Sequence, residues 1–278
     1  MPAPHFLAIG HTVRDRVPHG WRWGGSATYA VLTARRWGAR ARLLTAGDRL
    51  PSLKGVEVHW KPSPRGTAFE NRYQQGCRWQ RLLSRAFPLE PADLPPHWRE
   101  TEVVLLAPVA QEVSPAFLEC FPHALVGASA QGWLRRWTTK GYVFPAPLPA
   151  DFPLARLHVL IASQEDVDDT SQFSLWAQQV PLVVMTRGRE GAILWEKGKP
   201  YPIPAVPVAE VDPTGAGDVF STVFLLRLWE TGAPRESAWW ASAAGALCVQ
   251  RAGLAGVPSR RQVARLLSSP AWRQAREG

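Results

Sequence analysis

Two aspartates bracket a glycine turn in Val211-Asp212-Pro213-Thr214-Gly215-Ala216-Gly217-Asp218, and the apolar run 219–229 follows at once. The pattern reads as a strand end, a tight turn and the first turn of a buried helix. The N–H groups of a helix's first turn have no intrahelical acceptors and carry the positive end of the helix dipole, so they attract an anion. Glycines at 215 and 217 let that backbone approach a ligand closely. A carboxylate beside such a pocket repels a phosphate that merely binds there. Asp218 suits a general base that takes a proton from a hydroxyl as the hydroxyl attacks phosphorus. Capping of the helix by Asp218 is the competing reading.

Other segments offer polar groups at strand ends. Asp15, in Gly10-His11-Thr12-Val13-Arg14-Asp15, lies just past a first strand, where a carboxylate can accept from two hydroxyls at once or serve as a turn residue with no ligand. Gly24-Gly25 precedes a helix that begins Ser26-Ala27-Thr28-Tyr29. Asn71 and Arg78 stand among aromatic and polar residues in 67–81, which either face a polyol or pack a small sheet. Arg135, in Gln131-Gly132-Trp133-Leu134-Arg135, has the planar fork that grips a phosphoryl oxygen, with a surface ion pair as the alternative. Ser163-Gln164-Glu165-Asp166 sets two acids after a strand, and Ser163 alternatively caps a helix there. Thr186-Arg187-Gly188-Arg189-Glu190-Gly191 follows another strand, where a simple turn also accounts for the glycines.

The 211–218 stretch closely resembles the second signature of the ribokinase-like (PfkB) carbohydrate kinases, D-T-x-G-A-G-D, with Pro213 as the departure. Gly24 to Tyr29 resembles the first signature of that family, which commonly has Asn at the place of Tyr29. Residues 131–137 resemble its D-x-N-x-R segment, with Arg135 as the retained element. Ser163 and Asp166 stand for Asn and Glu of N-x-x-E, and 186–191 resembles T-x-G-x-x-G. The resemblance implies an ATP-dependent phosphotransferase acting on a hydroxyl of a small polyol or sugar. It makes Asp218 the base and assigns Gly215, Ala216, Gly217 and Arg135 to the transferred phosphoryl group. Asp15, Gly24, Gly25, Asn71 and Arg78 fall to the acceptor, and Thr186, Gly188, Gly191 and Ala244 to the nucleotide. Asp166 or Glu165 would organise Mg²⁺. Asp212, with the 251–253 loop, would hold a monovalent cation such as K⁺. The 67–81 stretch, Gly10-His11 and Gln131-Gly132 look more like the inositol-kinase-like branch than like ribokinase or fructokinase. A nucleoside kinase and a noncatalytic nucleotide or sugar sensor on the same fold stay open. The P-loop pattern G-x-x-x-x-G-K-[ST] is absent.

These residues need elements to hold them. Phe6 to Ile9 predicts a buried first strand, 26–37 a helix ending at Gly38, and 41–46 a second strand. From 56 to 86 short alternating pieces are broken by Pro62, Pro64, Gly66 and Gly76, which predicts a small antiparallel sheet. Strands are expected at 102–107, 124–128, 157–161, 182–186 and 192–195, and helices at 216–230, 235–251 and 259–267. Alternating strands and helices imply an α/β, doubly wound, mostly parallel sheet with ligands at the strands' carboxyl ends. The ribokinase-like reading adds a small antiparallel β lid, inserted around 11–23 and 56–86 of a single 1–278 domain.

Bulk properties narrow the classes. The 278 residues are 46% hydrophobic, enough for a sizeable core, and no linker divides them. Apolar runs are too short to span a bilayer, and the first residues lack a signal-peptide pattern, so a cytoplasmic protein without membrane partners is expected. Three separated cysteines, Cys77, Cys120 and Cys248, fit a reducing compartment and give no zinc pattern. The net charge of +9 comes from scattered Lys and Arg without an aromatic-interleaved basic stripe, so a solvated surface that also favours nucleotide and phosphate substrates is expected and nucleic acid is not. A monomer and a homodimer joined through lid strands are both allowed.

Overall fold

The computed structural model describes residues 3–18, 20–74, 77–270 and 272. Strand β1 (His5–Ile9) has four fully buried residues, as a strand covered on both faces requires. A hairpin of β2 (Val13–Val17) and β3 (Gly20–Gly24) follows, and α1 (Ser26–Arg36) then packs on the sheet. Gly38, at φ 90°, ends the helical segment and turns the chain into β4 (Arg40–Gly47). Next come β5 (Glu57–Pro62) and a second hairpin, β6 (Thr67–Gln74) with β7 (Cys77–Ser84). The middle of the chain supplies β8 (Val103–Leu106), β9 (Leu125–Ser129), the short pair β10 (Arg135–Trp137) and β11 (Val143–Pro145), then β12 (Val159–Ser163). After α2 (Gln172–Trp176) come β13 (Leu182–Thr186), β14 (Ala192–Glu196) and β15 (Lys199–Ile203). The last third is helical: α3 (Ala216–Thr231), α4 (Pro234–Cys248) and α5 (Arg260–Leu267).

Nine strands form one sheet in the order β15-β14-β13-β12-β9-β8-β1-β4-β5. All neighbours are parallel except the β13–β14 and β14–β15 pairs, so the mostly parallel sheet read from the sequence is borne out. The chain winds away from β1 in both directions, through β4 and through β8. This makes the carboxyl ends of β1 and β8 the switch point at which such sheets form a crevice. A second sheet has the order β3-β2-β6-β7, two antiparallel hairpins joined through the parallel β2–β6 pair. Strand β5, expected within this small sheet, instead pairs in parallel with β4 as the edge of the large one.

Side chains alternate between two cores with the period of two that strands impose. Phe6, Ala8, Leu43, Val103, Leu105 and Ile161 point to the face covered by α1, α3, α4 and α5. Leu7, Ile9, Leu44, Val104, Leu106 and Leu160 point to the opposite face. The strand and helix rhythm expected there after residue 96 is realised only as single 3-10 turns and the five-residue α2. Aromatic bulk replaces helical cover: Trp98, Phe117, Phe121, Trp133, Phe152, Phe173, Trp176 and Trp195 fill that layer. The Phe173 ring stacks on Trp195 at 5.9 Å and meets Trp176 edge-on at 5.0 Å. Among the described residues no helix is long and apolar enough to cross a membrane.

Candidate active site

Helix α3 is buried along residues 219–227, between the sheet and the helices α1 and α4, so its amino end is held in place by the core. Its N-cap is Gly215, in the left-handed region at φ 86°, which an L side chain adopts only with strain. A Cβ there would also collide with the Tyr29 ring of α1, so glycine is required twice over. With no side chain at the N-cap, the turn is closed from Asp212, whose Oδ1 accepts from Thr214 N at 3.0 Å. Ala216 N donates back to Pro213 O at 3.3 Å. Gly217 is exposed with open space where a Cβ would stand, and Asp218 follows it in the first turn, partly exposed. The amino end of α3 thus faces open space with a carboxylate at its rim.

Asp15, in β2, is buried and its Oδ1 accepts from Asn71 Nδ2 at 3.2 Å. Asn71 Oδ1 in turn accepts from Gln80 Nε2 at 2.9 Å, a polar chain running across β7, β6 and β2. Gly24 is small because of this carboxylate: a Cβ on it would lie 2.7 Å from Asp15 Oδ2. Gly25, at φ 92°, caps α1, and a Cβ there would stand 2.8 Å from His11 O and from Val13 Cγ2. The two glycines therefore let α1 start against the β1–β2 loop. The Tyr29 ring lies between Gly24 and Gly215, linking the Asp15 cluster to the amino end of α3. Its hydroxyl is buried and has no hydrogen-bond partner. Burial, then the nearby Cys248, Asp218 and Asp212, push its ionisation upwards, so it stays a neutral phenol. The Arg78 side chain lies outside the described residues.

The β1–β2 loop is fixed from below by residues that carry no motif. Glu112 is fully buried and accepts from His11 N, Val109 N and Ala110 N, at 3.0, 3.0 and 2.6 Å. His11 Nε2 lies 2.9 Å from the Phe87 carbonyl and Nδ1 lies 2.7 Å from Thr67 Oγ1. A carbonyl only accepts, so Nε2 carries the hydrogen and the Thr67 hydroxyl donates to Nδ1. Arg135 is buried where the two sheets meet, with Nη1 3.5 Å from Val109 O. Val109 packs there with Val13 and Phe69.

The acidic segment after β12 has a cap geometry. Asp166 Oδ2 accepts from Ser163 N at 2.9 Å, and Ser163 Oγ accepts from Glu165 N at 3.2 Å. Asp166 Oδ1 accepts from Gln131 Nε2 at 3.2 Å, which ties the end of β9 to the end of β12. Asp166 is buried, whereas Glu165 is exposed beside it. Ser163 pairs in register with Thr186 of β13. The 186–191 segment is the β13–β14 hairpin turn, closed by Arg187 N on Gly191 O at 2.7 Å. Gly188 leaves open space, while a Cβ on Gly191 would stand 2.9 Å from Ala205 N, so Gly191 serves the packing of the turn. Ala244 is buried on α4, and a Cβ on its neighbour Gly245 would lie 3.6 Å from Ala216 O. This brings α4 to the amino end of α3.

Asp212 departs from expectation. Its Oδ2 accepts from Arg22 Nη1 at 2.7 Å and from Gly253 N at 2.9 Å. Burial acts to raise its pKa, but the bonds from Thr214 and Gly253 and the Arg22 charge outweigh it and hold the carboxyl below the usual range. The cation ligand expected from the sequence is therefore paired to a side chain of β3. Sequence reading missed Arg22 because 190 positions separate it from Asp212. It missed Glu112 because a lone acid in a loop carries no pattern.

Comparison with known proteins bears out the resemblance. Residues 158–260 match the model of the pfkB family carbohydrate kinases. The chain is 31% identical over 172 residues to inositol 3-kinase of Zea mays, covering 60% of this chain and 44% of that protein. It is 37% identical over 91 residues to ribokinase of Arabidopsis thaliana, covering 32% of this chain and 24% of that protein. These matches span less than half the length of the curated relatives. The structure of that ribokinase with ribose and ATP superposes with a TM-score of 0.74 at 19% identity, over 96% of this chain and 99% of that one. A pyrophosphate-dependent kinase in the ribokinase family, complexed with a pyrophosphate analog and myo-inositol, gives 0.78 at 21% identity, over 94% and 99%. The chain carries a pfkB carbohydrate kinase segment on a ribokinase fold.

Proposed function

We propose that this protein transfers the γ-phosphoryl group of ATP to a hydroxyl of a small polyol or sugar, with Asp218 as general base. The observation that carries the reading is the amino end of α3. Its cap has no side chain, Gly217 opens it to solvent, and Asp218 stands at its rim. Asp15 and Asn71 orient the acceptor's hydroxyls, and Asp218 takes the proton of the attacking one. The amides at Gly215 and Gly217 receive the phosphoryl oxygens as charge builds, Ala216 N joins them when it leaves the Pro213 carbonyl, and Arg135 assists from the junction of the sheets. The second sheet acts as a lid that keeps water from competing as acceptor.

Thr186, Gly188, Gly191 and Ala244 form the nucleotide side, where Gly188 and Gly245 leave the space a donor needs. Exposed Glu165 suits a hydrated Mg²⁺ carried on the donor phosphates, and buried Asp166 holds that segment in place. Bound there, the metal neutralises phosphate charge. Tyr29 stands where an Asn would favour ribose or fructose. Together with the Zea mays inositol 3-kinase match it supports an inositol-like acceptor.

The test is product release with Mg²⁺ across inositols, sugars and nucleosides, using ATP and pyrophosphate as alternative donors. Turnover of a polyol with ATP is the expected result. Asp218→Asn should lower kcat by about 10²–10⁴-fold with the melting temperature preserved. Wild-type turnover in that variant removes Asp218 from its role. Nucleotide binding without turnover of any acceptor would instead make the protein a sensor.

A further inference from the structure

The loop that the resemblance assigns to a monovalent cation does not fit one in this chain. Asp212 Oδ2 already receives two N–H donors, Arg22 Nη1 at 2.7 Å and Gly253 N at 2.9 Å, and Oδ1 receives Thr214 N at 3.0 Å. Gly253 therefore presents its N–H, not an oxygen, to the carboxylate. The Val249 carbonyl accepts from both Val211 N and Asp212 N, at 2.8 and 3.1 Å. The Arg22 stem lies along the loop, so that a Cβ on Gly253 would stand 3.1 Å from its Cδ. The Asp212 side chain is only 12% exposed. A second cation beside this carboxylate would meet the guanidinium at contact distance, with little water to screen the repulsion.

We propose that Arg22 is a built-in cation that takes the place of K⁺ and makes the protein independent of monovalent cations. It neutralises Asp212 and fixes the 211–218 turn, and through that turn the amino end of α3. Arg22 also sits directly opposite Asp15 in the β2–β3 pairing. Arg22 thus stands on the strand beside the acceptor cluster while its guanidinium holds the 211–218 turn, which makes it a positioning residue. The proposal rests on the reading of that turn as the phosphoryl site, yet its primary readout is ion binding and does not need turnover.

The full-length chain is purified without K⁺, and its melting temperature is compared in about 0.2 M KCl and tetramethylammonium chloride, at matched ionic strength. The wild type should melt at the same temperature in both salts. Arg22→Ala, and Arg22→Gln as the variant that keeps more of the packing, should melt lower in tetramethylammonium and regain about 2–4 °C in KCl. Arg22→Lys, which keeps a positive charge, should stay insensitive to K⁺. In turnover assays K⁺ should raise kcat of Arg22→Ala by about tenfold and leave wild-type kcat unchanged. Stabilisation of the wild type by K⁺, or no response to K⁺ in folded Arg22→Ala and Arg22→Gln, overturns the proposal. Absence of kinase activity with the melting pattern intact would reject the phosphotransferase reading and leave the cation replacement standing.

Discussion

At the scale of single residues, Tyr29 connects the acceptor cluster to the phosphoryl turn. Its ring forces glycine at 215 and lies near Gly24, while its hydroxyl is buried without a partner. A buried donor left unpaired is costly, so the bare protein should gain from losing it. Tyr29→Phe keeps the ring and removes only that oxygen. The variant should be more stable by roughly 1 kcal/mol, a rise of about 2–4 °C in melting temperature. A clear fall in calorimetry would mean that the hydroxyl has a partner in the folded state. The residues along the 211–218 turn were legible in the sequence because their roles depend on neighbours in the chain: a left-handed cap, an open glycine, a first-turn acid. Arg22 meets Asp212 190 positions away and the Tyr29 ring meets Gly215 186 positions away, and no local pattern records such a pairing.

At the scale of elements, the site depends on the β1–β2 loop being held at one height above the sheet, and His11 with Glu112 does this. Burial lowers the affinity of His11 for a proton, against the opposing pull of Glu112 and the Phe87 carbonyl. The neutral ring, with Nε2 donating to Phe87 and Nδ1 accepting from Thr67, is the form that fits. The unfolded chain takes up a proton below the ordinary value of 6.5 while the folded ring resists it. Stability contributed by this site is therefore present above pH 6.5 and is lost as pH falls below it, by up to about 1.4 kcal/mol per pH unit. In denaturant titrations between neutral and mildly acid pH, His11→Gln should lose less stability than the wild type. Equal losses would place the sensitivity at another group. The helices α1, α3, α4 and α5 were readable because each has a period, a cap or a closing glycine. The opposite layer was not, because aromatic side chains on loops cover a sheet as well as a helix does and leave no period behind. Strand β5 was misplaced for a related reason: its largely exposed side chains suit an edge strand of either sheet.

At the scale of the whole molecule, the +9 charge is readable from the sequence as a sum, but its effect depends on where the cations sit. Arg22, Arg14, Arg187 and Arg189 are matched by Asp212, Asp48, Glu190 and Glu210, so the field that reaches solvent comes from the excess of Lys and Arg over acids across the surface. A donor carrying several negative charges approaches along this field, whereas an uncharged polyol does not feel it. Salt shortens the reach of the field to about 8 Å at physiological ionic strength and about 3 Å at 1 M. Raising tetramethylammonium chloride from low to high concentration should therefore lower kcat/KM for the donor several-fold. The KM of the acceptor at saturating donor should stay nearly constant. Using tetramethylammonium keeps the experiment separate from any binding of K⁺ beside Asp212. An equal fall for both substrates would mean that the acceptor is itself anionic, and an uncharged polyol would no longer be the substrate class to pursue.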